Sequence, residues 1–408
     1  MAVNSIFKHK NFSKLFFASA ISEFGSFITD TGLMLYLYSV TNESNSWLGL
    51  SKAVFILSYT LGTFFGGGLR NYAFFKKILL FSNLIRIPLL IAMSFLDAPH
   101  LLISFAGIIA FFQGVFTPLR RALTNIYVPK NEIKKANSIT STTYAGLHLA
   151  CPYIGALIYT EIGSILPIYM TDLFTYVISF FLILSLQNVQ DLRQKNEPGE
   201  AFKFELNFLS RNANIKTMCV QYAIVGVMVG ILIPLLLPFT LKTLGGTKEH
   251  YGIIMFCFGL GGLIGGLTSN SLGKILGSNK LTVITFFIEV NMLLIWSQIT
   301  NLPLSYVVLL IWGTVVFIRI PAQFNFISET VPTKDLAVAH SIVQMCFVIP
   351  NFTGGMVVAI VGDKISAEST YFYSGIFFSS LALWRALSPS TKKFYKLEIN
   401  QIDREYIG

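Results

Sequence analysis

Apolar runs of about 20 residues alternate with short polar clusters along the whole chain. That length matches a helix crossing a hydrocarbon core about 30 Å thick. The runs predict twelve helices: near 14–39, 47–69, 77–96, 100–119, 138–161 and 166–187, then near 215–241, 250–272, 281–299, 303–327, 337–361 and 369–387. The longest polar stretch, "NVQDLRQKNEPGEAFKFELNFLSRNAN" at 188–214, separates six helices from six. Within it Phe202, Phe204, Leu206, Phe208 and Leu209 have the pattern of a helix lying on a membrane surface. The expectation is an all-α polytopic membrane protein with a first half at 1–187, a cytoplasmic loop at 188–214, a second half at 215–387 and a cytoplasmic tail at 388–408.

Composition agrees. Of 408 residues 53% are hydrophobic and 12% charged, where a soluble domain carries about 25% charged residues; the mean hydropathy is +0.64. The net charge of +10 raises nucleic acid as a partner, but no basic patch is interleaved with aromatics. The lysines and arginines instead gather in alternate loops. With both termini in the cytoplasm, 25 of the 30 fall on that side. Three (Lys242, Lys248, Lys364) fall outside, and Lys52 and Arg86 are embedded. Only Leu15 to Phe17 precede the small-residue run Ala18-Ser19-Ala20, too few for a signal-peptide core, so the first helix is expected to be retained. The four cysteines lie far apart inside apolar runs, with neither a disulfide framework nor a zinc spacing. No HExxH, paired-aspartate loop or GxSxG elbow occurs, which excludes the membrane-embedded enzymes those motifs mark. No metal or cofactor is expected.

The two halves repeat. "LGTFFGGGLRN" from Leu61 matches "LGGLIGGLTSN" from Leu260 at five of eleven positions, offset 199. "VPKNEIKKANSI" from Val128 matches "VPTKDLAVAHSI" from Val331 at five of twelve, offset 203, an offset shared by Pro118 and Pro321. A duplicated six-helix unit is a transporter architecture. Gly62/Gly66 and Gly261/Gly265 are spaced to let helix backbones approach closely.

"FTPLRRALTNIYVPKNEIKKANSI", from Phe116 to Ile139, follows a pattern of F-x-P-x-R-R-A-L, V-P, E-[LI] and A-N-x-[LI]. With "NFSKLFF", Gly25-Ser26 and "LLFSNLIR" (Leu79 to Arg86), it resembles the major facilitator superfamily. Within that family it looks most like the drug:proton antiporter branch of macrolide-efflux and enterobactin-exporter proteins. The resemblance implies a major facilitator fold and no enzymatic activity. It also implies a gating loop between helices 2 and 3, where Lys76 and Lys77 supply the expected basic pair. Asn71 stands where an aspartate is expected there, and Asn83 where many members carry an acid. Arg120 and Arg121, after the helix-4 proline, join this gating set at the cytoplasmic face. On helix 5 the antiporter pattern survives as "ACPYIGA", with Cys151 and Ala156 replacing glycines.

Two acids stand out. Glu23 and Asp30 lie in "FASAISEFGSFITDTGLMLYLY", a run free of lysine and arginine. Seven residues advance a helix by two turns, so they share a face about 10 Å apart along the axis. An ionised acid at the bilayer centre costs at least about 2.5 kcal/mol, so a partner or a function is implied. Burial favours the neutral acid and a nearby cation the carboxylate; an acid balanced between them takes up and releases a proton as its surroundings change. Depth along the helices suggests Glu23–Arg86 and Asp30–Lys52 as ion pairs. The two readings are static fasteners, or proton-coupling acids at the cavity this helix lines in related antiporters.

Gln113, Gln221, Gln323, Gln344 and Asn351 fall on helices 4, 7, 10 and 11, which line the cavity in that superfamily, and are candidate substrate contacts. His148 and His340, on helices 5 and 11, are of a type able to relay protons. Asp172 and Glu289, on usually peripheral helices 6 and 9, read as structural. The resulting expectation is a monomeric secondary transporter of the bacterial inner membrane, whose partners are protons, the lipid bilayer and a small-molecule substrate. A macrolide-like drug or siderophore would be exported; an importer or a lipid flippase on the same fold is the alternative.

Overall fold

The computed structural model describes residues 3–69, 74–188, 212–332 and 335–397. Among these the chain is helical throughout. After a 3₁₀ turn at Val3–Lys8 come α1 (Lys10–Val40), α2 (Asn45–Gly68), α3 (Phe75–Met93), α4 (Pro99–Tyr127), α5 (Ile133–Ile162) and α6 (Leu166–Leu184). These are followed by α7 (Ala213–Pro238), α8 (Lys248–Leu276), α9 (Ser278–Ser297), α10 (Leu302–Thr330), α11 (Leu336–Val361), α12 (Ala367–Leu387) and the short α13 (Pro389–Lys396). The surface-helix pattern of 202–209 and the tail beyond 397 lie outside the described residues.

Eight of these helices (α2, α4 and α6 to α11) are long and apolar enough to cross a membrane. The four others of comparable length, α1, α3, α5 and α12, include those that carry Glu23, Asp30 and Arg86. The helices start where the local chemistry permits. Ser44, Thr247, Asn301 and Ser366 each accept a hydrogen bond from a first-turn backbone N–H of α2, α8, α10 and α12. α5 ends at Gly163, whose φ of +70° few other residues adopt.

Several helices outrun their predicted ends, α4 and α10 among them. The apolar runs stop at 119 and 327, whereas α4 continues to Tyr127 and α10 to Thr330. Pro118 and Pro321 sit inside these helices without ending them. Arg120 is therefore not a loop residue: it lies seven residues, about 10 Å, before the end of α4. Arg319, counted with the cytoplasmic loops from its charge, lies eleven residues before the end of α10. Charge alone misplaced both, because each guanidinium finds partners inside the helix bundle.

The chain divides near residue 197 into two compact units. In the first, α2 packs on α4, α1 on α5 and α6, and α3 on α4 and α6. In the second, α8 packs on α10, α7 on α11, and α9 on α10 and α12. The repeat is thus visible in the packing. A Cβ on Gly62 would lie 1.9 Å from the Phe111 carbonyl oxygen, and one on Gly261 would lie 1.9 Å from that of Leu310. A Cβ on Gly114 would lie 2.1 Å from Tyr59 O as one on Gly313 would lie 2.0 Å from Phe258 O, and one on Gly155 would lie 2.8 Å from Ile28 O as one on Gly354 would lie 2.3 Å from Val227 O. Each pair of positions differs by 199, the offset of the glycine motif. One contact is far more extensive in the first unit: α1 lies against α6 along its length, with Gly25 on Asp172 and Thr175, and Gly32 on Ile168.

A methyl group at Gly114 forces α2 and α4 apart, and overpacking of this kind costs about 1–3 kcal/mol. Gly114→Ala should therefore lower the thermal midpoint of the detergent-solubilised protein. Gly67→Ala, on the same helix pair but with open space around it, should not; equal midpoints would refute the close crossing.

Candidate functional site

The polar face of α1 gathers groups from three other helices of the first unit. Glu23, Phe27 and Asp30 follow one another at spacings of four and three, one ridge of a helix. At Glu23 the Gln113 side chain of α4 donates Nε2–H to Oε2 at 3.0 Å. Nearby, the Tyr59 hydroxyl of α2 and the Thr117 hydroxyl of α4 are 3.1 Å apart. The Phe27 ring meets the His148 imidazole of α5 at a tilt of 40°, centroids 3.9 Å apart. At Asp30, Lys52 of α2 donates to both carboxylate oxygens, at 2.6 and 2.8 Å. Lys52 is 17% exposed and Asp30 41%, so this pair is open on the acid's side.

Glu23 and Arg86 are not brought into a direct ion pair. The Arg86 guanidinium is turned to its own surroundings. Nε donates to Ser82 O at 2.9 Å and Nη2 to Phe112 O at 3.5 Å, while the group sits 4.8 Å from the Tyr176 ring and 5.5 Å from that of Phe116. Glu23 instead stands in the field of two arginines, Arg120 and, more weakly, Arg86. Arg120, expected at the gate, is buried with its guanidinium 4.4 Å from the Tyr144 ring of α5. Arg121 is exposed.

The expected gating residues divide differently. Asn71 lies outside the described residues. Lys76 Nζ donates to Leu186 O at 2.6 Å and to Asn188 Oδ1 at 3.2 Å. Lys14 donates to Ser185 O at 2.8 Å and the Tyr127 hydroxyl to Gln187 O at 2.8 Å. Three helices thus bind the carbonyls of the three residues that follow α6, with two cations near the negative end of its dipole. Lys77 lies 5.7 Å from the Phe74 ring. Asn83, fully buried, donates to Ser179 Oγ at 2.9 Å, tying α3 to α6 by an amide.

The second unit holds a charge pair that the sequence reading missed. Arg319 of α10 grips Glu289 of α9 with two bonds: Nε to Oε2, and Nη2 to Oε1 at 3.2 Å. Its Nη1 donates to Gln323 Oε1 at 2.8 Å, and Tyr222 of α7 stacks at 5.3 Å. Both charges are at most 3% exposed. The signal was available in "VVFIRIPAQF", where Arg319 has apolar neighbours on either side, unlike a loop arginine. Of the other substrate candidates, Gln323 is engaged by Arg319, and Gln221 is fully buried with no hydrogen-bond partner for its side chain. Gln344 is exposed and Asn351 half-buried, while His340 stacks on Phe324 at 5.1 Å. Among the described residues no group of His, Cys, Asp and Glu is arranged to hold a metal.

A fold of packed long helices, glycine-tight crossings repeated in two units, and charges held inside the helix bundle together describe a polytopic transporter. The model of the Major Facilitator Superfamily matches residues 15–355 and again 218–397. The chain belongs to that superfamily, whose members are multi-pass membrane transporters and not enzymes. It is 23% identical over 304 residues to the uncharacterized MFS-type transporter YfmI of Bacillus subtilis (strain 168), spanning 72% of this chain and 73% of that protein. Among solved structures it is similar to the nucleoside transporter NupG, with a TM-score of 0.73 at 13% identity over 98% of this chain and 100% of the other. It is also similar to a D-xylose–proton symporter, with a TM-score of 0.69 at 13% identity over 95% and 99%. A bacterial homologue of ferroportin in the inward-facing state gives 0.67 at 13% identity over 95% and 99%. These likenesses establish the fold.

Breaking a buried ion pair by removing one partner costs about 3–5 kcal/mol, whereas replacing both with apolar groups is often neutral. Glu289→Gln should therefore destabilise the protein to denaturant in mixed micelles. Glu289→Leu combined with Arg319→Met should recover most of the loss, and additive losses would show that the pair does not act as a unit.

Proposed function

We propose that this chain is a secondary active transporter that exports a bulky, partly apolar small molecule in exchange for protons. Its class, by resemblance to the antiporter branch, is a macrolide-like drug or a siderophore. The reading takes α1 to α12 as twelve spans in two six-helix halves, in a monomer of the bacterial inner membrane with both termini cytoplasmic. The distribution of lysine and arginine supports that orientation.

The observation that carries the proposal is the single polar ridge of α1. Glu23 and Asp30 lie two turns apart, each engaged by a side chain of another helix, Gln113 and Lys52. A proton on Asp30 removes the charge that holds Lys52, and one on Glu23 removes the charge that Arg120 and Arg86 act upon. Protonation therefore changes what α1 binds on α2 and α4, and so biases the alternating-access equilibrium. Protons load from outside and favour the inward-facing state; their release inside accompanies substrate capture. In the first unit His148, its ring against that of Phe27, and Gln113 offer a mixed aromatic and polar surface for the substrate; in the second, Gln344 and Asn351 are the candidate contacts.

Import with a proton is the second reading, favoured by the fold shared with a D-xylose–proton symporter. Both are tested in liposomes with a pH-sensitive dye inside, screened against macrolides, siderophores and cationic dyes. An exporter should show substrate-evoked pH change that Glu23→Gln or Asp30→Asn abolishes, with substrate moving opposite to the proton. Substrate moving with the proton selects import. Transport undiminished in both variants would make the acids fasteners and overturn the coupling mechanism.

A further inference from the structure

Arg86 is 1% exposed, and among the described residues it makes no direct ion pair. A buried cation so placed needs a counter-charge nearby. Two acids stand on the helices around it, Glu23 of α1 and Asp172 of α6: Tyr176, one turn beyond Asp172, lies with its ring 4.8 Å from the Arg86 guanidinium and its hydroxyl 2.9 Å from that of Ser26, on α1 three residues past Glu23. Asp172 is itself 1% exposed. Its Oδ1 accepts one weak bond from Thr175 Oγ1 at 3.2 Å, and its Oδ2 has no hydrogen-bond partner. It is also pressed against α1, where a Cβ on Gly25 would lie 2.4 Å from Oδ1.

The same molecule shows what a permanent fastener looks like. Glu289 receives two direct bonds from Arg319, whose remaining nitrogen is bonded to Gln323. A carboxylate offers about four lone-pair sites, and Asp172 meets only hydroxyls, that of Thr175 within 3.2 Å of Oδ1 and those of Thr29 and Tyr176 close by, with no cation in direct contact among the described residues. That is poor solvation for a fixed buried charge and suits a group that spends part of its time neutral.

We propose that Asp172 is a second exchangeable proton site of the first unit, sharing Arg86 with Glu23. The inference rests on the proton-coupled reading of Glu23 and extends it to α6. The groups acting on Asp172 are Arg86 from α3, Thr175 and Tyr176 from its own helix, and Thr29 from α1. Glu23 has a second cation, Arg120, which Asp172 lacks. When Glu23 takes a proton, Arg86 is left to Asp172, which gives up its own and becomes the carboxylate. When Glu23 is ionised again, Asp172 recovers a proton. Arg86 stays a cation throughout, one acid gains the proton as the other loses it, and the charge of the three groups is conserved.

The test is infrared difference spectroscopy of the full chain reconstituted in liposomes and titrated with pH. Wild type should show a protonated-carboxyl band at the pH where Glu23 is ionised, changing as Glu23 takes up its proton, that is missing from Asp172→Asn, a substitution that keeps the volume facing Gly25. In Glu23→Gln the Asp172 band should remain, with its midpoint moved by about 1 pH unit or more, the mark of coupled sites. Spectra of Asp172→Asn and wild type that coincide across the titration overturn the proposal. Should Asp172→Asn fail to fold, Glu23→Gln carries the test, and an unmoved midpoint overturns it. Because the readout is protonation, the two proposals fail separately. No Asp172 band while Glu23→Gln still abolishes transport sinks only this inference. An Asp172 band while Glu23→Gln and Asp30→Asn transport normally sinks the coupling by α1.

Discussion

Helix backbones touch at glycines in both units, and the remaining architecture follows from those contacts. Lipid tails are as apolar as leucine, so no hydrophobic force drives one membrane helix onto another; close packing and interhelical hydrogen bonds must do it. At Gly62 and Gly114 the α2 and α4 backbones come near enough that a methyl group would reach a carbonyl oxygen. The same contact recurs at Gly261 and Gly313, 199 residues on. Once these crossings are set, the depth and facing of every charged side chain on the same helices are set with them.

Inside that frame charge is distributed unequally. The second unit closes Glu289 and Arg319 into one neutral, directly bonded pair, while Arg385, also buried, has two guanidinium nitrogens without a hydrogen-bond partner among the described residues. The first unit spreads Glu23, Asp30, Asp172, Lys52, Arg86 and Arg120 over five helices, and of these only Asp30 and Lys52 touch directly among the described residues. A unit that neutralises its charges pairwise is fastened. One that holds them within reach of one another, without contact, retains alternatives.

Much of this was legible in the chain. Spacing of polar clusters located the long helices, the glycine repeat anticipated the close crossings, and the two acids of α1 stood out because nothing else in that run is charged. Asp30 and Lys52 could be matched by depth, since both lie on the helices of one hairpin. Arg86 could not, because depth says nothing about rotation about α3, and that rotation aims its guanidinium at Tyr176 and Phe116. The charge rule misplaced Arg120 and Arg319 for a related reason: it counts residues toward loops and carries no term for an aromatic ring or a carboxylate supplied by a neighbouring helix.

α7 carries Pro234 and Pro238 and ends in a π-helical turn at Phe239–Thr243. Each proline deletes a backbone donor from the helical ladder, and such sites are where helices kink. Its counterpart by the repeat, α1, has no proline and lies along α6 from Gly25 to Gly32, while the far end of α6 is gripped by Lys14. Duplication has therefore produced two copies of one helix with opposite mechanical character. The stiff copy bears the ionisable groups, where a shift of an ångström would alter every electrostatic distance, and compliance is left to the copy whose face carries no acid.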